Sequence, residues 1–333
     1  MSRATQAFRI LAGSLFVFAS ATSSVAAEPT GYPSRSITLI VPFAAGGPAD
    51  VLARTVSDAM GRLLGQTFIV ENVAGAGGSL GSARAAKASP DGYTLLAGHA
   101  GTHAGNVGLF ERLPYDPVGD FEPIGFLGDV PQVIVVNPRF PATEPHAFFE
   151  YVRHHADKLT LGHAGIGSAS HLASLLFAKS IGKPLNSVGY RGSGPAMNDL
   201  IGGQFDIMID LTSIALPQIE AGTVRPIAVL RQDRVPALPN VPTTSEIGFP
   251  QLRATIWNVL LAPKATAPHV VSKLNSALLA ALADPTVQAR LSKLGVEPPE
   301  RSAPTIDGRR EFIKMEVERW LPIVKAAGSS LSP

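Results

Sequence analysis

The sequence predicts an α/β protein, and three observations carry that expectation. Short β-branched or apolar runs alternate with longer segments whose apolar residues recur at helical spacing. Twice, at 36–65 and again at 159–180, a strand-like run passes through a glycine-rich turn straight into a helix pattern. Composition agrees: the 333 residues are 45% hydrophobic and 16% charged, enough for a large core, and the 32 Gly and 28 Pro follow no repeat and so read as turns.

The first residues read as an export signal. Arg3 and Arg9 form a basic start, Ile10 to Ser20 is mostly apolar, and Val25 and Ala27 occupy small-residue cleavage positions, so a secretory signal peptide cut after Ala27 is expected. The apolar run falls short of the roughly 20 residues that span a bilayer. The 28 basic side chains become 26 without Arg3 and Arg9, matching the 26 acidic ones. A near-neutral chain without dense Lys/Arg tracts gives no reason to expect a nucleic-acid partner, whose capture relies on phosphate neutralisation. With 0 Cys, disulfides, cysteine nucleophiles, iron–sulfur centres, thiolate zinc sites and lipid attachment are excluded. A soluble periplasmic protein follows if the source is bacterial.

After Ala27, Ser36 to Pro42 is the first strand, the turn FAAGGPAD follows, and VLARTVSDAMGRLLG is the first helix. Thr67 to Val73 is a second strand, Gly75 to Gly81 a turn, Leu80 to Lys87 a short helix and Tyr93 to Ala97 a third strand. GHAGTHAGN then reads as a polar loop. PIGFLG and QVIVVNP, within Phe121 to Val136, read as two separate strand pieces beside a domain crossing, and Pro141 to His155 as a connecting helix. Leu159 to His163 leads through a glycine turn to a helix carrying Leu172, Leu175, Leu176 and Phe177. VGYRGSGPAMNDLIGGQFDIMID is a loop, a helix and a buried strand, and VRPIAVL a further strand. Residues 231–249, rich in proline, form an ordered connection, and WNVLLA is followed by three helix patterns.

Glycines between a strand and a helix let main-chain amides converge on an oxyanion where the helix dipole favours negative charge. PFAAGGPAD, covering Phe43, Ala44, Ala45, Gly46 and Gly47, is either such a carboxylate or phosphate cradle or only a tight turn. Asp50 either caps the helix start or accepts from a ligand. HAGIGSASH supplies a second cradle with Gly165, Gly167, Ser168, Ser170 and His171, in which a serine cap and a packed histidine are the plainer roles. Facing each other, the two cradles could hold both ends of a diacid. His99, Thr102, His103 and Asn106 lie on the polar loop. Tyr190 can line an organic pocket, Arg191 reads as surface, Asp206 and Asp210 either fix loops or meet a ligand donor, and Trp257 is wall or core. Neither GxGxxG nor GxxxxGK[ST] occurs, so no nucleotide cofactor is expected. No HExxH or GxSxG pattern supports a metal site or a Ser168–His171 hydrolase.

The exported start, ITLIVPFAAGGPADVLAR, NVAGAGGSLGSARAAKASPDGYTLLAG, LPYDPVGDFEPIG, GIGSASHLASLLF, YRGSGPAMNDLIGGQFDIMID and LPNVPTTSEIGFP, in that order, resemble the Bug family of extracytoplasmic solute-binding proteins of tripartite tricarboxylate transporters. The resemblance implies a two-lobed α/β Venus-flytrap fold with an interlobe cleft, lobe 1 at 28–129 plus 250–333 and lobe 2 at 130–249. It also implies a monomer without cofactor or catalysis that captures a small carboxylated metabolite and delivers it to a membrane permease, or reports it to a membrane sensor. A secreted hydrolase is the rival of a different class. The family's binding loops map onto Phe43 to Gly47 and Gly165 to His171, with Thr102 and Asp206 beside them, acting through main-chain amides and ordered waters. GHAGTHAGN and HAGIGSASH depart from the commoner family versions, which leaves the far-end specificity and the ligand's identity open.

Overall fold

The computed structural model describes residues 31–297 and 305–326; the expected signal peptide lies outside them. Contacts divide the chain after Tyr32, and every element below belongs to the unit Pro33–Pro333.

The first part of that unit winds β1 (Ile37–Val41), α1 (Pro48–Leu64), β2 (Phe68–Asn72), α2 (Ser79–Ala86) and β3 (Thr94–His99). In β1, Ile37, Leu39, Ile40 and Val41 are at most 2% exposed, as a central parallel strand covered on both faces must be. Pro48 begins α1 with its ring pre-set for a helix, and Gly65 ends it in the left-handed conformation at φ 67. After β3 the chain makes a π-type turn at Gly101–Gly105 and the short α3 (Asn106–Leu109). Thr102, His103 and Asn106 are 0% exposed there, so the segment read as a polar loop is a buried coil of helix. Its polar atoms bond inward: Tyr115 Oη donates to the Thr102 carbonyl at 2.6 Å, and Asn106 Nδ2 to Ser79 Oγ at 3.1 Å.

Next come β4 (Phe121–Val136), α4 (Pro145–His155), β5 (Thr160–His163), α5 (Ala169–Ile181), β6 (Asn186–Gly189), α6 (Ser193–Gly202), β7 (Ile207–Leu211), α7 (Thr212–Glu220) and β8 (Arg225–Val229). After the proline-rich connection follow β9 (Thr255–Pro263), α8 (Pro268–Ala283), α9 (Pro285–Lys293) and α10 (Ile306–Ala326). Among the described residues the strands join in the order β2-β1-β3-β9-β4-β7-β5-β6, with β8 also on β4.

The segment expected as two strand pieces is thus one strand with two sets of neighbours. Residues 121–131 of β4 pair antiparallel with β9, and from Gln132 onward the strand pairs with β7 and β8 instead. Pro123 sits at a register shift and Pro131 where the partners change, two places where a missing N–H is tolerated. Gly128 lies at the second shift with φ +143. Helix α7, to which the sequence reading assigned no element, carries an internal Pro217 that disguises it.

The core runs along both parts of the sheet. Phe148, Phe149 and Phe177 are fully buried, and Phe249 at the end of the connection stacks on Phe149 at 4.1 Å between centroids. Helix α10 buries Ile313, Trp320, Ile323 and Val324. Its Glu316 accepts hydrogen bonds at Oε2 from both Trp257 Nε1, at 2.9 Å, and Trp320 Nε1, at 3.2 Å. Trp257 is therefore a core residue and a contact to α10.

A Cβ on Gly128 would meet Val296 Cγ1 at 2.6 Å and the Glu297 carbonyl at 3.2 Å, in a backbone conformation that side chains rarely adopt. Gly128→Ala is expected to cost about 1–3 kcal/mol in urea unfolding. Gly194→Ala, with nothing within 4 Å, is expected to stay within about 0.5 kcal/mol.

Candidate functional site

Parallel strands and the helices that follow them turn carbonyl ends and amide ends toward the same sheet edge, where ligands of α/β proteins settle. At that edge lies a cavity of about 630 Å³. The chain reaches it from β1 through Phe43–Gly47, from β3 at His99, from β5 through Ala164–Ser170, from β6 at Gly192–Gly194 and from β7 at Asp210. Val130 of β4 and Ile256 and Asn258 of β9 complete the wall.

Helices α1, α5, α6 and α7 all begin here. Their N-caps are Gly47, Ser168, Gly192 and Leu211, and only Ser168 caps with its side chain, accepting from the His171 amide at 3.1 Å. First-turn amides of the other three helices therefore have no side-chain cap and, together with the helix dipoles, favour an anion. Among the described residues no Lys or Arg lines the cavity, and His99 and Asp210 are the titratable side chains in its wall.

Two hydrogen-bond networks shape the glycine turns from behind. Asp50, 3% exposed, accepts from the Gly46 amide at 2.9 Å, from Arg54 Nε at 3.0 Å and from Asn72 Nδ2 at 2.8 Å. Asn72 Nδ2 also donates to the Phe43 carbonyl at 3.0 Å, so the turn is held at both ends. Burial would raise the Asp50 carboxyl, but the bonds from Arg54, Gly46 and Asn72 outweigh it and hold it below its ordinary range. In the second turn the Gly165 amide donates to His163 Nδ1 at 3.1 Å, the Gly167 amide to His171 Nδ1 at 3.2 Å, and the Ala164 amide to Ser170 Oγ at 2.8 Å. Gly165 and Gly167 adopt φ +112 and φ +81, conformations for which glycine is suited. Both histidines must be neutral at Nδ1 to accept, and burial lowers both, His171 to about 4.

His99 stacks on Phe43 at 4.4 Å between centroids, 11° from parallel, and its Nδ1 accepts from the Gly101 amide at 2.7 Å. Burial pushes it down to about 4, so it is neutral with its proton on Nε2.

Of the residues singled out from sequence, Phe43, Ala44, Gly46, Gly47, His99, Gly167, Ser168 and Ser170 line the cavity. The others serve elsewhere. Ala45 is exposed beside the wall, and Asp50 is committed to Arg54 and Asn72. Thr102 Oγ1 is bonded to the His99 main chain and to His103. The Gly165 amide is taken by His163, and His171 stands behind the turn as an acceptor. Tyr190 Oη donates to Asp199 at 2.8 Å, and Asp206 accepts from the Thr160 amide at 2.8 Å, a link between β5 and β7. Sequence reasoning passed over Gly77, Ser193, Ile214 and Asn258, and left Asp210 undecided. The overlooked signal was GSGPA, a third glycine turn between a strand and a helix. Among the described residues no group of three metal-ligating side chains occurs, and no helix is long and apolar enough to cross a membrane.

A family profile described as tripartite tricarboxylate transporter family receptor matches residues 52–329. A UPF0065 protein of Agrobacterium vitis is 41% identical over 307 residues, 91% of this chain and 88% of its own length. Two solved structures are similar throughout. MatC from Rhodopseudomonas palustris, with bound malate, gives a TM-score of 0.76 at 38% identity, covering 88% of this chain and 100% of MatC. The periplasmic binding protein BugD gives 0.77 at 41% identity, covering 91% and 100%. The architecture is the two-domain α/β fold of periplasmic binding proteins, as the resemblance implied.

Buried neutral histidines set the acid limit of the fold. His99 and His171 are lowered to about 4 and His103 to about 3, desolvation being the main cause in each. A folded pKa below the unfolded value of about 6.5 means that stability is complete above pH 6.5 and is lost as pH falls toward 4. His163 is lowered by burial as well, while Asp210, raised to about 6 by burial, and Glu297, raised by burial, work in the opposite direction. Urea titrations at pH 7 and pH 5 are expected to show a net loss, with each buried histidine contributing roughly 1–2 kcal/mol. His103→Leu is expected to flatten that dependence.

Proposed function

The chain belongs to the tripartite tricarboxylate transporter receptor family, and on that premise we propose that it captures a small carboxylated metabolite in the cavity and delivers it to a permease of the tripartite tricarboxylate type. Membership makes it a solute-binding receptor of a transport system and not an enzyme. One observation carries the ligand class: four helix starts surround a cavity with no Lys or Arg among the described residues of its wall, and its one histidine is neutral. A cationic side chain would hold any anion from one direction. Uncapped amides and helix dipoles hold a planar carboxylate by geometry, each dipole worth about 0.3–1 kcal/mol. The malate bound to MatC is an acid of this class.

The mechanism follows from the strand pairing. On this reading the described residues of 28–129 and 250–333 make one lobe and 130–249 the other, joined near the place where β4 changes neighbours and near the start of β9. An acid that contacts α1 from one lobe and α5 and α6 from the other binds the closed form more tightly and shifts the population toward it. The permease then receives the closed, loaded monomer. Cleavage after Ala27 would release it into the periplasm, the compartment named for BugD.

Protein purified without refolding is expected to release an organic acid on denaturation, identified by mass spectrometry, and to bind that acid calorimetrically. A side chain on Gly47 would crowd the Ala44 carbonyl, which a Cβ would meet at 3.3 Å, and would intrude on the start of α1. Gly47→Val is therefore expected to weaken binding at least tenfold while melting within a few degrees of the parent. Absence of any acid binding would overturn the assignment. A receptor working with a permease also requires that a deletion strain lose uptake of that acid.

A further inference from the structure

Asp210, the second-last residue of β7, stands at the cavity wall and is 1% exposed. Its Oδ1 accepts from the Leu211 amide at 2.8 Å; its Oδ2, equally buried, accepts no hydrogen bond of good geometry, although the Ser193 hydroxyl lies close enough to favour the charged carboxylate. A buried carboxylate oxygen without a donor is costly and uncommon, and where it persists in a binding cavity it marks the place of a missing group. The starts of α6 and α7 flank it, with Ser193 of α6, Leu211 at the N-cap of α7 and Ile214 of α7 lining the same cavity. The wall thus sets one acceptor among several amide donors.

We infer that Asp210 is the specificity-determining residue of the cavity: it selects, among small acids, those bearing a hydrogen-bond donor, a hydroxyl or an ammonium, on the carbon next to a carboxylate. This rests on the reading of the cavity as an acid site. Amides at the starts of α6 and α7 would hold the carboxylate, and the neighbouring donor would complete Oδ2. A plain diacid brings only acceptors, and its own charge would face that of Asp210. The carboxyl is charged when the ligand arrives at neutral pH: burial raises it to about 6, while the Ser193 hydroxyl and the Leu211 amide favour the ionised form. Among the lining residues no Lys or Arg is present to neutralise it, and the other titratable group, His99, is neutral.

Matched probes test the inference by calorimetry at pH 7.5: succinate against malate and aspartate, glutarate against 2-hydroxyglutarate and glutamate, and phenylacetate against mandelate and phenylglycine. In the series that binds, the donor-bearing acid is expected to bind at least tenfold tighter than the plain one, and the hydroxy and amino members show which donor fits. Asp210→Asn keeps the size and the bond to the Leu211 amide but turns Oδ2 into an N–H donor. It is expected to erase or reverse the preference while the circular dichroism and melting profile persist. Equal binding of plain and substituted acids to the parent protein, or an unchanged ratio in folded Asp210→Asn, would overturn the role of Asp210 and leave the acid site standing. Binding of no probe at all would overturn the acid site itself. The preference of the parent protein decides the matter even if the variant does not fold.

Discussion

Strand β4 has to serve two sets of neighbours, and where it changes them determines where everything else goes. Up to Pro131 it is the partner of β9; from Gln132 it lies between β7 and β8. Val130, beside the change, lines the cavity. Strands β1 and β3 on one side and β5, β6 and β7 on the other point their carboxyl ends toward that region, so the helices that follow present their amide ends to it. Helix starts, which favour negative charge, converge there from connectivity, before any side chain is chosen.

The side chains then decide how stiff and how selective the site is. Asp50, His163 and His171 look like ligand groups in a list of polar residues, but each spends its hydrogen-bonding capacity on a glycine amide of a turn. This gives the glycines their conformation without filling the space in front of them. It also leaves the amides of Gly165 and Gly167 already engaged, so at the second turn only the start of α5 and the Ser168 and Ser170 side chains face the cavity with polar groups. The third turn, at Gly192–Gly194, has a glycine N-cap and Pro195 in its first helical turn, which leaves it more open.

The alternation of strand, glycine turn and helix was legible in the sequence because β1, β5 and the helices after them follow the ordinary pattern of apolar spacing and turn residues. Two glycine turns were found for the same reason. What the sequence hid has physical causes. Proline normally breaks a strand, so β4 reads as two pieces until the bulge and the change of partners that accommodate Pro123 and Pro131 are seen. His99, Thr102, His103 and Asn106 read as a polar loop because their partners, Phe43, Tyr115, Ser79 and the main chain of the same turn, are brought together only by the tertiary fold. Tyr190 and Asp206 carry ordinary structural bonds that spacing does not reveal. Asp210 stood undecided for a related reason: nothing in FDIMID says which of its two carboxylates points to a β-strand amide and which to a cavity.

The paired bonds to Glu316 have an optical consequence. The chain has 2 tryptophans, and both donate to that one carboxylate on α10. Tryptophan emission, excited selectively, therefore views a single locality, the seat of the last helix against β9, and a shift in its wavelength signals water reaching that seat. Trp257 lies in the same strand as the wall residues Ile256 and Asn258. Ultraviolet fluorescence, with no label added, is thus a local gauge of how firmly the carboxyl-terminal helix is docked behind the cavity.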